Sequence, residues 1–370
     1  MKIRLYPNKE QREKISQHFG SCRLVYNLFL DEKIKAYKLG NNLSVYDLKK
    51  QLVPLKNSDS LKFLKSVDST ALQNSVLKID IAYKNFFRRV KKGEKPGFPQ
   101  FKSKHKSYQS YQTSTSKMKE KKLYLPRIGS IRGKFHRGIP KGKIKTVTVS
   151  REANQYYASI NYDDNLPETM TYNNGKKIGI DVGIKVFASL SDGSKIEVNK
   201  EHDLTKNILQ MEKAQKSLSR KKKGSNNRFK AKIKLAKKHL KIKNKRMDFL
   251  HKTTKKLSEN QTIVVENLTI KNMSKKDGER KTGLNRLILQ QSWGKFFELL
   301  EYKLKRNDGE LIKVDPKYTS QKCSKCGYID NKNRLTQAKF QCKSCGYEAN
   351  ADYNASVNIL NSVGITDYAS

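Results

Sequence analysis

Residues 177–184 read Lys-Ile-Gly-Ile-Asp-Val-Gly-Ile, and this segment limits the possible folds of the chain more than any other. Every second residue is a branched apolar one, which is the period of a β-strand with one buried face. Asp181 lies inside this pattern, and a carboxylate in such a strand needs a metal ion or another cation as its partner. Gly179 and Gly183 flank the acid and weaken a strand unless another group must approach its backbone closely. We therefore expect a strand built around a functional acid.

Two more carboxylates occupy comparable places later in the chain. Glu266 lies near the end of the apolar strand predicted for residues 262–267. Asp352 opens the helix predicted for residues 351–360, with Asn350 as its N-cap. Each acid alone would be an ordinary residue at a strand end or a helix start. In this element order and in so basic a chain, we expect the three to bind Mg²⁺, since two such ions activate water and stabilise the leaving oxygen in phosphodiester hydrolysis.

The net charge indicates the kind of partner. The chain has 79 lysines and arginines against 34 acids, a formal charge of +45. Such a density repels itself unless a polyanion neutralises it, and nucleic acid is the leading candidate. A membrane surface is disfavoured because the sequence has no long apolar run and no lipidation signal. No secretory signal opens the chain, so we expect it to be cytosolic.

The cysteines predict a second metal centre. Two Cys-x-x-Cys pairs are separated by fifteen residues near the end of the chain: Cys323, Cys326, Cys342 and Cys345. This spacing is typical of a zinc ribbon, and four thiolates leave no open position on the ion, so we expect structural Zn²⁺. Gly327 and Gly346 follow the two pairs and allow the tight turns that such a site needs. Redox chemistry is the alternative, which two pairs at this distance seldom support.

The remaining sequence divides by its pattern. Residues 8–92 have helical apolar spacing and predict a small helical domain, whereas the following region to residue 162 predicts strands. The strand-rich region includes a hairpin made from residues 143–150 and 155–162. Residues 203–257 predict a lysine-rich helical hairpin, which would be stabilised beside an anionic surface, and residues 283–306 predict one amphipathic helix.

Taken together, these motifs resemble a known family. Gly-Ile-Asp181-Val-Gly, Val-Val-Glu266-Asn, the cysteine pairs and Asn-Ala-Asp352-x-Asn-Ala are similar to the RuvC-type nuclease of the transposon-encoded TnpB family, also called OrfB. The similarity extends through most of the chain. It includes Arg-Leu-Val-Tyr-Asn at residues 23–27, Gly-Phe-Pro-Gln-Phe-Lys at residues 97–102 and Tyr-Thr-Ser-Gln-Lys-Cys at residues 318–323.

The resemblance implies an α+β multidomain protein. Its nuclease domain would be RNase H-like (RuvC) with an inserted four-cysteine zinc ribbon, and would be joined to an N-terminal helical recognition domain and a small β-barrel wedge domain. The expected boundaries are residues 1–7 and 93–171 for the wedge domain, 8–92 for the recognition domain, 172–316 and 350–370 for the nuclease domain with the hairpin 203–257 inserted, and 317–349 for the zinc ribbon.

The resemblance also implies a function. Members of the family are RNA-guided endonucleases of double-stranded DNA, so the expected partners are a guide RNA derived from the transposon end and a target DNA next to a short motif. Asp181, Glu266 and Asp352 would be the catalytic acids that hold two Mg²⁺ ions, and one site would cut both strands. We expect a cytoplasmic prokaryotic protein that associates with the nucleoid when it is bound to DNA.

Three alternatives share part of this pattern. A compact type V CRISPR effector has the same motifs, and its genomic neighbours would distinguish it. A transposase that joins strands itself uses similar acids, but the zinc ribbon before the last helix fits it less well. An RNA-guided repressor that binds DNA without cutting predicts the loss of at least one acid, and all three are present in this sequence.

Overall fold

The computed structural model describes residues 1–104, 109–135, 142–163, 174–273 and 281–364. The chain forms two compact units, Met1–Leu166 and Pro167–Ser370. Parts of the predicted wedge domain (105–108, 136–141 and 164–171) and of the predicted nuclease domain (172–173, 274–280 and 365–370) lie outside the described residues. Within the described ranges, no helix has the length and hydrophobicity that a membrane span requires.

The first unit combines a helical segment with an antiparallel sheet. Its helices are α1 (Lys9–Lys38), α2 (Val45–Lys50), α3 (Leu52–Asn57) and α4 (Ser69–Lys91), with a 3-10 helix at Asp59–Ser66. Its strands are β1 (Lys2–Tyr6), β2 (Gln109–Thr113), β3 (Lys117–Lys119), β4 (Lys122–Leu125), β5 (Gly129–Lys134), β6 (Ile144–Glu152) and β7 (Gln155–Tyr162). The predicted hairpin is confirmed as the pair β6 and β7.

Side-chain caps fix the helix starts of this unit. Asn8 accepts a hydrogen bond from the backbone N–H of Gln11 at 2.8 Å, and the Gln11 side chain accepts one from the backbone N–H of Asn8 at 3.1 Å. This reciprocal pair is a capping box, as the sequence predicts. Ser44 and Asp68 cap α2 and α4.

One hydrophobic core runs through both parts of the first unit. Phe19 and Leu72 of the helices and Tyr111 and Val149 of the sheet belong to the same buried cluster. The seven strands are ordered β2-β6-β7-β1-β5-β4-β3. No pairing closes β2 against β3 among the described strands, so the barrel and the boundary between recognition and wedge domains stay predictions.

The second unit contains the strands that carry the predicted acids. Its strands are β8 (Lys177–Val182), β9 (Ala188–Leu190), β10 (Lys195–Ile196), β11 (Thr262–Glu266), β12 (Glu310–Val314), β13 (Lys339–Gln341) and β14 (Glu348–Asn350). Its helices are α5 (Thr205–Ser219), α6 (Asn226–Leu257), α7 (Ile270–Met273), α8 (Lys281–Gln291), α9 (Trp293–Arg306) and α10 (Ala351–Asn361), with a 3-10 turn at Asn331–Asn333.

A mixed five-stranded sheet forms the centre of this unit. Its order is β10-β9-β8-β11-β12. The central strand β8 is antiparallel to β9 and parallel to β11, which is in turn parallel to β12. Gly179 of β8 lies directly under α10: a Cβ added there would stand 2.1 Å from the carbonyl oxygen of Ser356. The glycine is therefore required for the helix to rest on the central strand.

One helical prediction for this unit needs correction, and another is confirmed. The single helix predicted for residues 283–306 is two helices, because Ser292 adopts a left-handed conformation with φ of 58° and separates α8 from α9. The predicted helical hairpin is present as α5 and α6, and Lys238 donates to Gln210 across it at 2.6 Å. Phe229, in the first turn of α6, is 64% exposed.

Candidate active site and metal centre

Neighbouring strands and one helix bring the three predicted acids together. In the parallel pairing of β8 and β11, Ile180 is opposite Val265, so Asp181 and Glu266 follow at the same end of adjacent strands. Asp352 lies in the first turn of α10, which packs on β8, and the Asn350 side chain accepts hydrogen bonds from the first backbone N–H groups of that helix. The predicted cap and the predicted helix start are confirmed.

The electrostatics of Asp181 indicate how close the acids are. Burial first, and then the negative charges of Glu266 and Asp352, together raise the pKa of Asp181 from its ordinary value of 3.8 to about 7. Burial also raises the pKa of Glu266. The Thr319 hydroxyl has the opposite, smaller effect, because it donates to that carboxylate at 2.5 Å and so lowers the pKa. The site thus concentrates negative charge in a partly desolvated place, which favours a cation.

Arg334 is a member of the site that the sequence analysis missed. Its guanidinium lies 3.2 Å from the Asp352 carboxylate and also donates to the carbonyl oxygen of Gln337. Its positive charge lowers the pKa of Asp181. The residue lies between the two cysteine pairs, where no periodic pattern marks it, and only the folding of that segment against α10 brings it to the acids.

The spacing of the carboxylates restricts how they hold metal. In the described part of the chain, two groups of at least three metal-type ligand atoms lie within 4.8 Å of one another, and the three acids are not one of them. Oxygen ligands on opposite sides of two neighbouring Mg²⁺ ions stand up to about 8 Å apart. The donor set fits hard cations shared between the acids better than one ion that all three contact.

The four cysteines predicted to bind zinc lie together in one cluster. Their sulfur atoms all lie within 4.8 Å of one another, with 3.8 Å between Cys323 and Cys345 and 3.5 Å between Cys326 and Cys342. A tetrahedral Zn²⁺ with bonds of about 2.3 Å separates its sulfur ligands by about 3.8 Å, so the cluster fits zinc. Gly327 has a positive φ of 78°, as does Gly346 with 70°, as the tight turns require.

Hydrogen bonds attach the cysteine cluster to the helix of Asp352. The Asn354 side chain accepts from the backbone N–H of Ser324 at 2.9 Å and donates to the carbonyl oxygen of Lys322 at 2.8 Å. Asn358, one turn later, donates to the same Lys322 oxygen at 2.6 Å. The segment before the first cysteine pair is therefore fixed to α10, and the position of Asp352 depends on it.

A third cluster of ligand-type residues is structural. Glu201, His202 and Asp248 lie within 4.8 Å of one another, and the His202 ring contacts Asp248 at 2.8 Å. The Lys252 ammonium lies 2.8 Å from Asp248 and 3.5 Å from Glu201, and so supplies the positive charge there. These contacts attach the segment before α5 to α6.

Comparison with solved structures defines the class of protein. The cryo-EM structure of a Cas12f1–sgRNA–target DNA complex superposes with a TM-score of 0.58 at 18% identity, covering 95% of this chain and 82% of that chain. The fold is therefore a Cas12f-like α+β multidomain fold with a four-cysteine cluster.

Sequence comparison defines the family. Family models match residues 149–277 ("Probable transposase" of the OrfB type), residues 293–359 ("Cas12f1-like, TNB domain") and residues 1–42 ("Helix-turn-helix domain"). A relative from Escherichia coli K12, named as a candidate RNA-guided DNA endonuclease, InsQ, is 35% identical over 97% of this chain and 90% of its own length. One from Streptomyces pristinaespiralis with a similar name is 35% identical over 97% of this chain and 88% of its own length. The chain belongs to the TnpB/OrfB family.

A CRISPR protein matches a smaller part of the sequence. The endodeoxyribonuclease Cas12f1 of Sulfoacidibacillus thermotolerans is 53% identical over 72 residues, which are 19% of this chain and 17% of that protein. The segment assigned to the helix-turn-helix model, residues 1–42, forms β1 and the single helix α1 in this structure.

Proposed function

We propose that this protein is a transposon-encoded, RNA-guided endonuclease of double-stranded DNA with one RuvC-like site that cuts both strands. The observation that carries the proposal is the placement of the three acids: β8 and β11 carry Asp181 and Glu266 at the same edge of the sheet, and α10 brings Asp352 onto β8. It supports a shared catalytic site for three acids that are far apart in the sequence. The names of the full-length relatives support the reaction and the use of a guide RNA.

The three acids would be the ligands of the catalytic metal. Two Mg²⁺ ions held by Asp181, Glu266 and Asp352 would activate water and stabilise the leaving 3′ oxygen of the phosphodiester. The Asp181 carboxyl group retains a proton up to about pH 7 while no cation is near, because its environment disfavours the charge. Thr319 orients the Glu266 carboxylate, and Arg334 orients that of Asp352. The four cysteines would hold one Zn²⁺ that keeps their segment folded beside α10.

The expected partners follow from charge and family. A formal charge of +45 needs an extended polyanion, and a guide RNA from the transposon end paired with target DNA would supply it. Guide pairing would read the target, while the protein would read backbone shape and a short adjacent motif. A type V CRISPR effector is the second candidate, but the Cas12f1 match covers only 19% of this chain, whereas the relatives named as RNA-guided DNA endonucleases cover 97% of it.

The test begins with the RNA that the protein carries. The protein is purified with its co-bound RNA, the RNA is sequenced, and plasmids with the matching target beside random bases are offered with Mg²⁺. We expect linear plasmid, enrichment of one short flanking motif among the cut molecules, and no cutting in EDTA. Intact plasmid with Mg²⁺, despite specific binding of the target, would instead identify a repressor.

A further inference from the structure

Two segments noted in the sequence have no part in the proposed catalysis. The structure joins residues 23–27 of α1 to residues 97–102. The Asn27 side chain donates to the carbonyl oxygen of Lys102 at 3.0 Å and accepts from its backbone N–H at 2.8 Å. The Lys102 ammonium lies 3.6 Å from the centre of the Tyr26 ring. Asn27 thus holds the backbone of Lys102, and the Tyr26 ring contacts its ammonium group.

This lysine lines a cavity of the first unit. The cavity has a volume of about 290 Å³ and is lined by residues of α1 and α4, by Lys102 and Ser103, and by Gln109 and Ser110 of β2. Arg23, Lys78 and Lys102 are the charged residues that line it, and the hydroxyl-bearing residues Ser75 and Ser110 also line it. Its three charged side chains carry the same sign, although they come from three separate segments.

The positive charges have no described counterpart. Burial lowers the pKa of Lys78, and burial together with the charge of Lys78 lowers the pKa of Lys102 to about 8. Among the described residues, no ion pair involves Arg23, Lys78 or Lys102. Half-buried like charges without an acid reduce the stability of a fold, and such groups are retained where a ligand neutralises them.

We propose that this cavity binds one phosphate group. Two ammonium groups and a guanidinium match the charge and the oxygen acceptors of a phosphate. The volume accommodates a phosphate with an attached sugar. The phosphate comes either from bound nucleic acid or from free phosphate in solution. The inference does not depend on the nuclease proposal, because it concerns the first unit alone.

Thermal unfolding of the RNA-free full-length protein tests the site. Tm is measured at pH 7.5 in sodium phosphate and in sodium chloride of equal ionic strength, for wild type, Lys78→Met, Lys102→Met and Lys50→Met. Lys50 is exposed on α2 and serves as the matched control. Phosphate stabilises proteins in general by exclusion from their surfaces, so the informative quantity is the difference between variants.

We expect phosphate to raise the Tm of wild type and of Lys50→Met by about 3 °C more than that of Lys78→Met or Lys102→Met. In chloride, the two cavity variants should be as stable as wild type or more stable, because each removes a desolvated charge. If one cavity variant fails to fold, the other still gives the comparison. An equal phosphate effect in all four proteins would overturn the proposal.

Repeating the measurement with RNA-bound protein identifies the source of the phosphate. If the difference between wild type and Lys78→Met disappears in the complex, a phosphate of the RNA occupies the cavity. If the difference persists, the cavity takes free phosphate. Either result supports a phosphate site once the RNA-free protein has shown the difference.

Discussion

Among the single residues of the candidate site, Asp181 has the environment that most disfavours its own charge. Its carboxyl group is flanked by two other acids, and burial removes most of the water that would stabilise the ion. The positive charge of Arg334 lowers its pKa, and Arg334 also pairs with Asp352 at 3.2 Å. The metal-free protein is thus destabilised by the arrangement that prepares it for a cation.

Replacement of Asp181 by Asn should therefore stabilise the metal-free protein at alkaline pH. The folded-state pKa of about 7 exceeds the ordinary 3.8, so the folded protein binds the proton more tightly than the unfolded chain does. The loss of folding free energy caused by ionising Asp181 is absent below about pH 4. It grows as pH rises and is complete above about pH 7. We expect Asp181→Asn to be more stable than wild type at pH 8 by up to about 4 kcal/mol, with no difference near pH 4.

Denaturant unfolding in EDTA across that pH range measures the effect. Glu298→Gln removes an exposed carboxylate of the same unit and should show no comparable trend. A pH-independent difference for Asp181→Asn would mean that the carboxyl group is not held in this environment.

Arg334 is a second single residue with a predicted role, because it positions the Asp352 carboxylate. Arg334→Ala should leave guided DNA binding unchanged and lower the cleavage rate by about tenfold to a hundredfold, because Asp352 loses the group that orients it. Lys339→Ala, which removes an exposed cation from the same segment, should cut normally. Arg334→Lys should restore part of the rate and shift the Mg²⁺ concentration that gives half-maximal activity, which a purely structural residue would not do. Wild-type rates and metal dependence in Arg334→Ala would exclude this role.

At the scale of elements, local signals predicted the parts of the site that local sequence determines. The apolar alternation around Asp181, the cap at Asn350 and the glycines after each cysteine pair all act within a few residues, and the structure contains each of them. Ser292 could not be predicted in this way, because a serine with positive φ is set by the packing of the helices on either side. Arg334 was missed because its contact with Asp352 exists only after the cysteine segment has folded onto α10.

The close contact between β8 and α10 predicts that a larger residue at position 179 will destabilise the protein. Gly179→Ala would place a methyl group 2.1 Å from the Ser356 carbonyl oxygen and 2.8 Å from the Leu360 nitrogen. Because both atoms belong to backbone, the helix must shift, and we expect a loss of several kcal/mol in stability together with loss of cleavage. Gly20→Ala in α1 meets no atom within 4 Å and should be neutral or stabilising by up to about 1 kcal/mol. Equal stability of the two variants in denaturant unfolding would contradict this packing.

The cysteine cluster gives a second prediction about the packing of elements. Cys326→Ser should reduce bound zinc, measured by mass spectrometry of the metal content, and should lower the soluble yield, because one lost thiolate opens the ligand shell. Cleavage should fall as well, since Asn354 connects the cluster to the helix of Asp352. Ser344→Ala, an exposed change between the second pair of cysteines, is the control. Full zinc content and normal yield in Cys326→Ser would argue against the site.

At the scale of the whole molecule, charge and family determine what the protein binds. The formal charge of +45 predicted a nucleic-acid partner, and the relatives that span the chain are named for RNA-guided action on DNA. The domain boundaries were less accessible, because one core joins the N-terminal helices to the seven-stranded sheet. Spacing along a sequence marks where helices give way to strands, but it does not show whether the two share a core.

The central claim is that three distant acids act at one divalent-ion site on both DNA strands. Its most direct measurement is strand-resolved cleavage of a matched target by guide-loaded Asp181→Ala, Glu266→Ala and Asp352→Ala, with target binding followed in parallel and Glu298→Ala as the control. We predict that each of the three variants binds the target, loses at least about 10³-fold in the cutting of both strands, and is no more active than the triple variant. Near-normal cutting of either strand by any one of the three would contradict the account.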